Sequence, residues 1–147
     1  MTNSRRKGAA GEREFSTAVR DALGVRLLRR LDQCRAGGFD LAPEPDDGSP
    51  AAAWLRAHAV EVKRHRGASA AEVAGWWAQT LRQADAAGLE PMLAFRADRQ
   101  PWHIVVALDT LAAVTVPAGA ERLAATVSLE GLAALARTGH PPTEPGR

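Results

Sequence analysis

The stretch "GASAAEVAGWWAQTLRQADAAG", residues 67–88, constrains the fold more than any other part of the chain. Ser69 followed by Glu72 predicts a capping box at its start, and Gly88 supplies a natural stop. Val73, Trp77, Leu81 and Ala84 recur at helical spacing and predict the core-facing stripe, while Trp76, Gln79, Thr80 and Gln83 occupy the neighbouring one. A strand-like segment stands on each side, residues 57–64 before the helix and "PMLAFRA" (91–97) after it. A long helix set between strands places the chain in the α/β class.

The remaining elements fit that class. Residues 12–23 read as a helix, with Phe15, Val19 and Leu23 at i, i+4, i+8 and Gly24 as its C-cap. "VRLLRRL" (25–31) and "RAGGFDLA" (35–42) are β-capable, and "PEPDDGSP" (43–50) is a loop by its Pro, Asp and Gly content. "WHIVVAL" (102–108) predicts a strand, joined to 91–97 by the polar turn "DRQP". A further strand is expected at 113–116, and a helix at 129–137 after Ser128. The expected architecture is a mixed central β-sheet flanked by helices. It divides into a basic arm (1–11), one domain (12–137) and a tail (138–147), a size that one core can serve.

Hydrophobic residues make up 46% of the chain and charged ones 24%, which is ordinary for a globular protein. No apolar run reaches the roughly 18–20 residues that span a bilayer, and no apolar segment follows the basic N-terminus as in a signal peptide. Cys34 is the one cysteine, so an internal disulfide and a cysteine-based zinc site are excluded. A reducing, cytoplasmic setting follows as the expectation. The net charge is +2, but residues 1–35 hold nine Lys/Arg against four Asp/Glu and are basic by five charges. Clustered basic charge of this kind suits a phosphate backbone, and a solvated basic face suits it equally.

Chemistry concentrates in "HAVEVKRHR" (58–66). A period of two sends Val60 and Val62 to one face and Glu61 and Lys63 to the other. Taken alone, the acid–base pair describes a surface ion pair on an edge strand. Asp40 in "GGFDLA" and Glu12 in "KGAAGERE" alter that reading, because with Glu61 and Lys63 they give three carboxylates and an ammonium from separate elements. Singly, Asp40 reads as a turn residue, Glu12 as a helix-dipole acid and Gln83 as an exposed helix residue. As a set they match metal-assisted phosphodiester hydrolysis, in which hard carboxylate oxygens hold Mg²⁺ and the ion activates water against the phosphate. Asp46 and Asp47 are alternatives to Asp40 in turn sequence. The four histidines show no metal-ligand spacing.

The order "GAAGERE", "FDL", "EVK", "QADAAG", "PMLAFR" resembles the PD-(D/E)XK nuclease superfamily, and within it the Holliday junction resolvase-like branch of phage and prokaryotes. The resemblance spans about residues 5–108. It implies a restriction-endonuclease-like core in α-β-β-β-α-β order and a Mg²⁺-dependent DNA endonuclease, with Mn²⁺ able to substitute. It further implies branched DNA as substrate, a homodimer, and a bacterial or phage-infected cell as the setting. In that family's terms Asp40, Glu61 and the Val62 carbonyl hold the ion, and Lys63 orients or activates the attacking water. Glu12 assists at the ion or its water, and Gln83 contacts the water or phosphate. Arg5, Arg6, Lys7, Arg35, Arg64, Arg66, Arg96 and Arg99 are the expected DNA contacts, and Trp76, Trp77 and Trp102 are candidates for stacking on exposed bases. The alternative is a DNA-binding module of the same fold without catalysis.

Overall fold

The computed structural model describes residues 2–30, 38–111 and 115–138, with side chains from residue 8 onward. Six strands form one sheet in the order β1 to β6: β1 (Leu27–Arg29), β2 (Leu41–Pro43), β3 (His58–His65), β4 (Glu90–Ala97), β5 (His103–Ala107) and β6 (Ala124–Ser128). The sheet is mixed, because β3 and β4 run parallel while every other neighbouring pair is antiparallel. Four helices flank it: α1 (Thr2–Leu23), α2 (Pro50–Arg56), α3 (Ala70–Ala87) and α4 (Leu129–Thr138). The expected α/β class and mixed sheet hold. No helix among the described residues is long and apolar enough to cross a membrane.

Helix α3 makes the parallel pairing possible, since two parallel strands need a crossover longer than a hairpin. Its ends form as the sequence predicts. The Ser69 side chain accepts from the Glu72 N–H, the Glu72 carboxylate accepts from the Ser69 N–H, and Gly88 caps the other end in the left-handed region at φ 66°. Its buried face is rotated from the expected stripe: Trp77, Thr80 and Ala84 are buried, whereas Val73 and Leu81 are partly exposed.

Strand alternation divides the core in two. Val60 and Val62 of β3, Met92 and Ala94 of β4, and Ile104 and Val106 of β5 join Phe15 and Val19 of α1, Trp54 and Leu55 of α2, and Leu132 and Ala136 of α4. The opposite face packs α3 through two smaller clusters, Ala59 and Ala84 with Phe39, and Trp77 with Leu93, Val105 and Ala107. Glu61 and Lys63 therefore project on the α3 side, and the valines between them anchor the main core.

Three boundaries differ from the sequence reading. Helix α1 begins at Thr2 rather than Glu12, so the backbone of the basic segment is helical. The expected loop at 43–50 ends at an unforeseen helix, α2, where the Ser49 hydroxyl accepts from the Ala52 N–H and Pro50 takes the first position, which needs no N–H. The expected strand at 113–116 lies partly outside the described residues, and Thr115 and Val116 are not in a strand. The sixth strand is instead "AATVS" (124–128), paired along β5 from Ala107↔Ala124 to His103↔Ser128.

Candidate active site

Strand β2 pairs with β3 only at Leu41↔Val60, then leaves it. Beyond Val60 the β2 side of β3 is open, and a cleft of about 470 Å³ forms at this fork. It is lined by Gly8, Glu12, Asp40, Glu61, Lys63 and Arg66, with the backbone of β3 between them. A pairing that stops early thus places the chemistry of β3 on a free edge.

Glu61 is 4% exposed, and its Oε1 lies 2.7 Å from Lys63 Nζ. The two are a pair, as spacing on one strand face requires, but they are not the surface pair that an E-x-K triplet describes by default. From α3, Gln79 Nε2 approaches the same Oε1 at 3.4 Å, and Gln83 also hydrogen-bonds to this carboxylate. Oε2 is buried and has no hydrogen-bond donor among the described residues. Burial, and after it the charge of Asp40, push the Glu61 carboxyl above the usual carboxylate range, while Lys63 and Gln83 act against them.

Asp40 stands immediately before β2 and is stitched to both neighbouring strands. Its N–H donates to Val60 O at 2.8 Å, and its carbonyl accepts from the Arg30 N–H at 2.8 Å. Its Oδ2 accepts from the Val62 N–H at 3.0 Å. These contacts bracket Glu61, so the Asp40 carboxylate is fixed beside it. A residue's N–H and C=O leave an extended strand on the same side, so the Val62 carbonyl lies along this edge too. Asp47 is elsewhere: its Oδ1 accepts from the Ser49 N–H at the start of α2, and neither it nor Asp46 lines the cleft.

Glu12 reaches the cleft from α1. It is 7% exposed, and its Oε2 lies 2.7 Å from Arg29 Nε on β1. Burial raises its carboxyl above the ordinary value, Arg29 opposes the shift and the Glu61 charge adds to it. Its place depends on Gly11. A Cβ at that position would stand 2.8 Å from Arg64 Cβ, so only glycine lets α1 approach β3 this closely.

No three His, Cys, Asp or Glu side chains among the described residues form a ready metal cage. The donor set still suits a hard cation that keeps most of its waters. Asp40 and Glu61 supply two adjacent carboxylates, and Glu61 Oε2 is a buried oxygen that lacks a donor, an arrangement costly without a cation or water beside it.

The expected DNA contacts divide. Arg66 is exposed at the cleft, and Arg99 is exposed in the β4–β5 turn at φ 62°. Arg64 and Arg96 are engaged inside the protein. Arg64 binds Glu14 at 2.9 Å and Asp98 at 3.0 Å, while Arg96 lies 3.6 Å from Glu14 and over the Trp102 ring. The side chains of Arg5, Arg6 and Lys7, and all of Arg35, lie outside the described residues. Trp77 and Trp102 are buried, the latter against Phe15, and the half-buried Trp76 stacks on His65 at 4.7 Å. Neither buried ring is available to a base.

Sequence reasoning missed Gln79, Arg29 and Glu14 as parts of this region. Gln79 was within reach, since it precedes Gln83 by one helical turn. The other two act through pairings between α1 and distant strands, which spacing along the chain does not encode.

The family model described as "Phage putative PDDEXK endonuclease" matches residues 3–130, most of the chain. No curated protein matches it. Among solved structures, Hjc, a Holliday junction resolvase from the archaeal hyperthermophile Archaeoglobus fulgidus, is similar at 18% identity, covering 87% of this chain and 96% of that one with a TM-score of 0.49.

Proposed function

The chain belongs to this family of phage PDDEXK endonucleases, and from that premise we propose that it is a divalent-metal-dependent nuclease that hydrolyses DNA phosphodiesters, with branched DNA as its substrate. The observation that carries the reading is Glu61. It is buried on β3 with one oxygen held by Lys63 and Gln79 and the other without a donor among the described residues, beside the charge of Asp40.

In this reading Asp40, Glu61 and the Val62 carbonyl hold Mg²⁺, or Mn²⁺ in its place. The bound ion supplies charge neutralisation at the phosphate and favours deprotonation of water. The chain's own groups do the rest. Lys63, fixed by Glu61 with its side chain 21% exposed, turns its remaining N–H donors to the attacking water or a phosphoryl oxygen. Gln79 and Gln83 hold the Glu61 carboxylate in one orientation from α3. Glu12, held by Arg29, adds a third carboxylate at the cleft wall and assists at the ion or its water. Arg66 is placed to meet the phosphate backbone. Two cuts on a branched substrate suit a two-fold dimer, which would present two such sites symmetrically.

The direct test is cleavage of a labelled four-way junction with Mg²⁺, beside a linear duplex of the same sequence. Lys63→Ala is expected to cut about 10²–10³-fold more slowly, the usual cost of losing one charge-stabilising donor. Undiminished cutting by the variant removes Lys63 from the chemistry, and equal cutting of the duplex removes the preference for branches. The rival reading is a DNA-binding module of the same fold without catalysis. Calorimetry separates it, because that reading requires no heat of Mn²⁺ binding to the wild-type protein.

A further inference from the structure

A second groove runs between α1 and β1 and shares Glu12 with the active-site cleft. It encloses about 440 Å³. Leu27 and Leu41, both buried, form its floor, and its walls carry Arg13, Arg20, Arg26 and Arg29. All four guanidiniums belong to exposed residues. None of them was among the expected DNA contacts, several of which point elsewhere or are already paired.

The opposing acids do not cancel this charge. Arg26 pairs with Glu44 at 2.9 Å and Arg29 with Glu12 at 2.7 Å. Arg20 lies 4.0 Å from Asp21, a contact between two exposed side chains, and Arg13 has no ion pair among the described residues. Arg13 and Arg20 are seven residues apart on one helix face, with Ser16 and Thr17 hydroxyls between them. At 1.5 Å per residue that spacing is about 10 Å, far enough apart for the two guanidiniums to reach separate phosphates of one strand. A guanidinium fork is suited to phosphate oxygens, and the hydroxyls add neutral donors of the kind seen at strand backbones.

We propose that the α1–β1 groove carries the phosphate backbone of a DNA strand outward from the cleavage cleft, with Arg13 and Arg20 as its principal contacts and Arg29 at the junction of the two. The proposal rests on the nuclease reading for the identity of the strand. The groove itself is tested without cleavage. It requires no base contact, so binding here is insensitive to sequence and falls steeply with salt.

The experiment is binding of a labelled DNA duplex in chelator, across a salt series, by wild type, Arg13→Ala/Arg20→Ala and the charge control Arg82→Ala on α3. Both groove positions are exposed on a helix, where alanine is well tolerated, and a thermal melt confirms the fold. The double variant is expected to lose about two phosphate contacts. The slope of log K against log salt then falls by about 1.8, and affinity drops about 10-fold or more at moderate salt, with Arg82→Ala unchanged. A wild-type slope in the double variant overturns the proposal, as does an equal loss in Arg82→Ala, which would mean general charge and no groove. Absence of DNA binding by wild type at low salt also overturns it. Failure of the nuclease reading looks different: DNA binding with the expected slope change but no cleavage under any divalent ion. Binding of an acidic peptide as tight as that of DNA, lost in the same variant, would assign the groove to a protein partner and overturn the DNA reading.

Discussion

The two faces of β3 are built from alternate residues of one short segment and obey opposite rules. Val60 and Val62 are buried among Phe15, Trp54 and Met92, where burial of apolar surface stabilises the fold and shape is the only requirement. Glu61 and Lys63, one residue over, are buried or half-buried charges whose placement costs free energy and is tolerated because each is the other's partner. One face is retained for stability and can be altered by degrees. The other is retained for chemistry and depends on particular atoms. A chain that merely needed a sixth of a sheet here would alternate valine with threonine.

The sharpest way to break the comparison is to change one residue on each face. Glu61→Gln keeps the volume and removes the charge, and cleavage by the folded protein is expected to fall at least about 10³-fold, beyond whatever stability is lost when Lys63 loses its partner. Val60→Ala is expected to do the reverse, costing about 2–3 kcal/mol of stability while the folded fraction cuts at near wild-type rate. Denaturant titration and single-turnover cleavage on both variants check the pair. If folded Glu61→Gln cuts as fast as wild type, or folded Val60→Ala loses the chemistry, the division between faces is wrong.

His58 opens the strand and gives a smaller effect that depends on pH. It is 1% exposed, its ring packs on Trp54 at 4.0 Å, and its Nδ1 donates to the Trp54 carbonyl at 2.8 Å. That contact fixes the neutral tautomer, leaving Nε2 buried with no partner among the described residues. Burial pushes its pKa down from 6.5 to about 4, only partly offset by the bond to Trp54. The unfolded chain therefore takes up a proton that the folded one refuses. Stability from this group is complete above pH 6.5, declines as pH falls toward 4, and levels off below. The loss between pH 8 and pH 5 is about 2 kcal/mol. His58→Gln should flatten that part of the profile in urea titrations, and an unchanged profile would show that His58 is protonated in the fold.

The sequence made the faces of β3 readable because period two is a local property. The capping box of α3 was readable for the same reason, since Ser69 and Glu72 are three apart. Asp40 was singled out from motif order and not from distance, and its carboxylate lies next to Glu61 on the strand edge. What stayed hidden depends on pairings across the chain. The early departure of β2 from β3, which opens the cleft, follows from where Asp40 hydrogen-bonds to Val60 and Val62. The Glu14 contacts that occupy Arg64 and Arg96 bridge α1 to two strands. Charge alone marked those arginines as free. Strand β6 escaped because "AATVS" is short, exposed at alternate positions and rich in small residues, whereas the more apolar stretch before it drew the assignment.

A last pair of variants concerns how α1 meets the packing face. Gly8 and Gly11 are both in α1, and in isolation either glycine to alanine change favours a helix by up to about 1 kcal/mol. The structure separates them. A Cβ at Gly8 meets nothing within 4 Å, whereas at Gly11 it stands 2.8 Å from Arg64 Cβ, which lies at the root of a side chain and cannot swing aside. Gly8→Ala is expected to raise stability by about 0.5–1 kcal/mol. Gly11→Ala should lower it by about 1–3 kcal/mol, since α1 must lift from β3. The same lift carries the neighbouring Glu12 away from the cleft, so Gly11→Ala should also slow cleavage. Opposite signs in the two melts would locate the tight contact between α1 and the strand; equal signs would mean that the helix has room to slide, and that Glu12 is held by Arg29 alone.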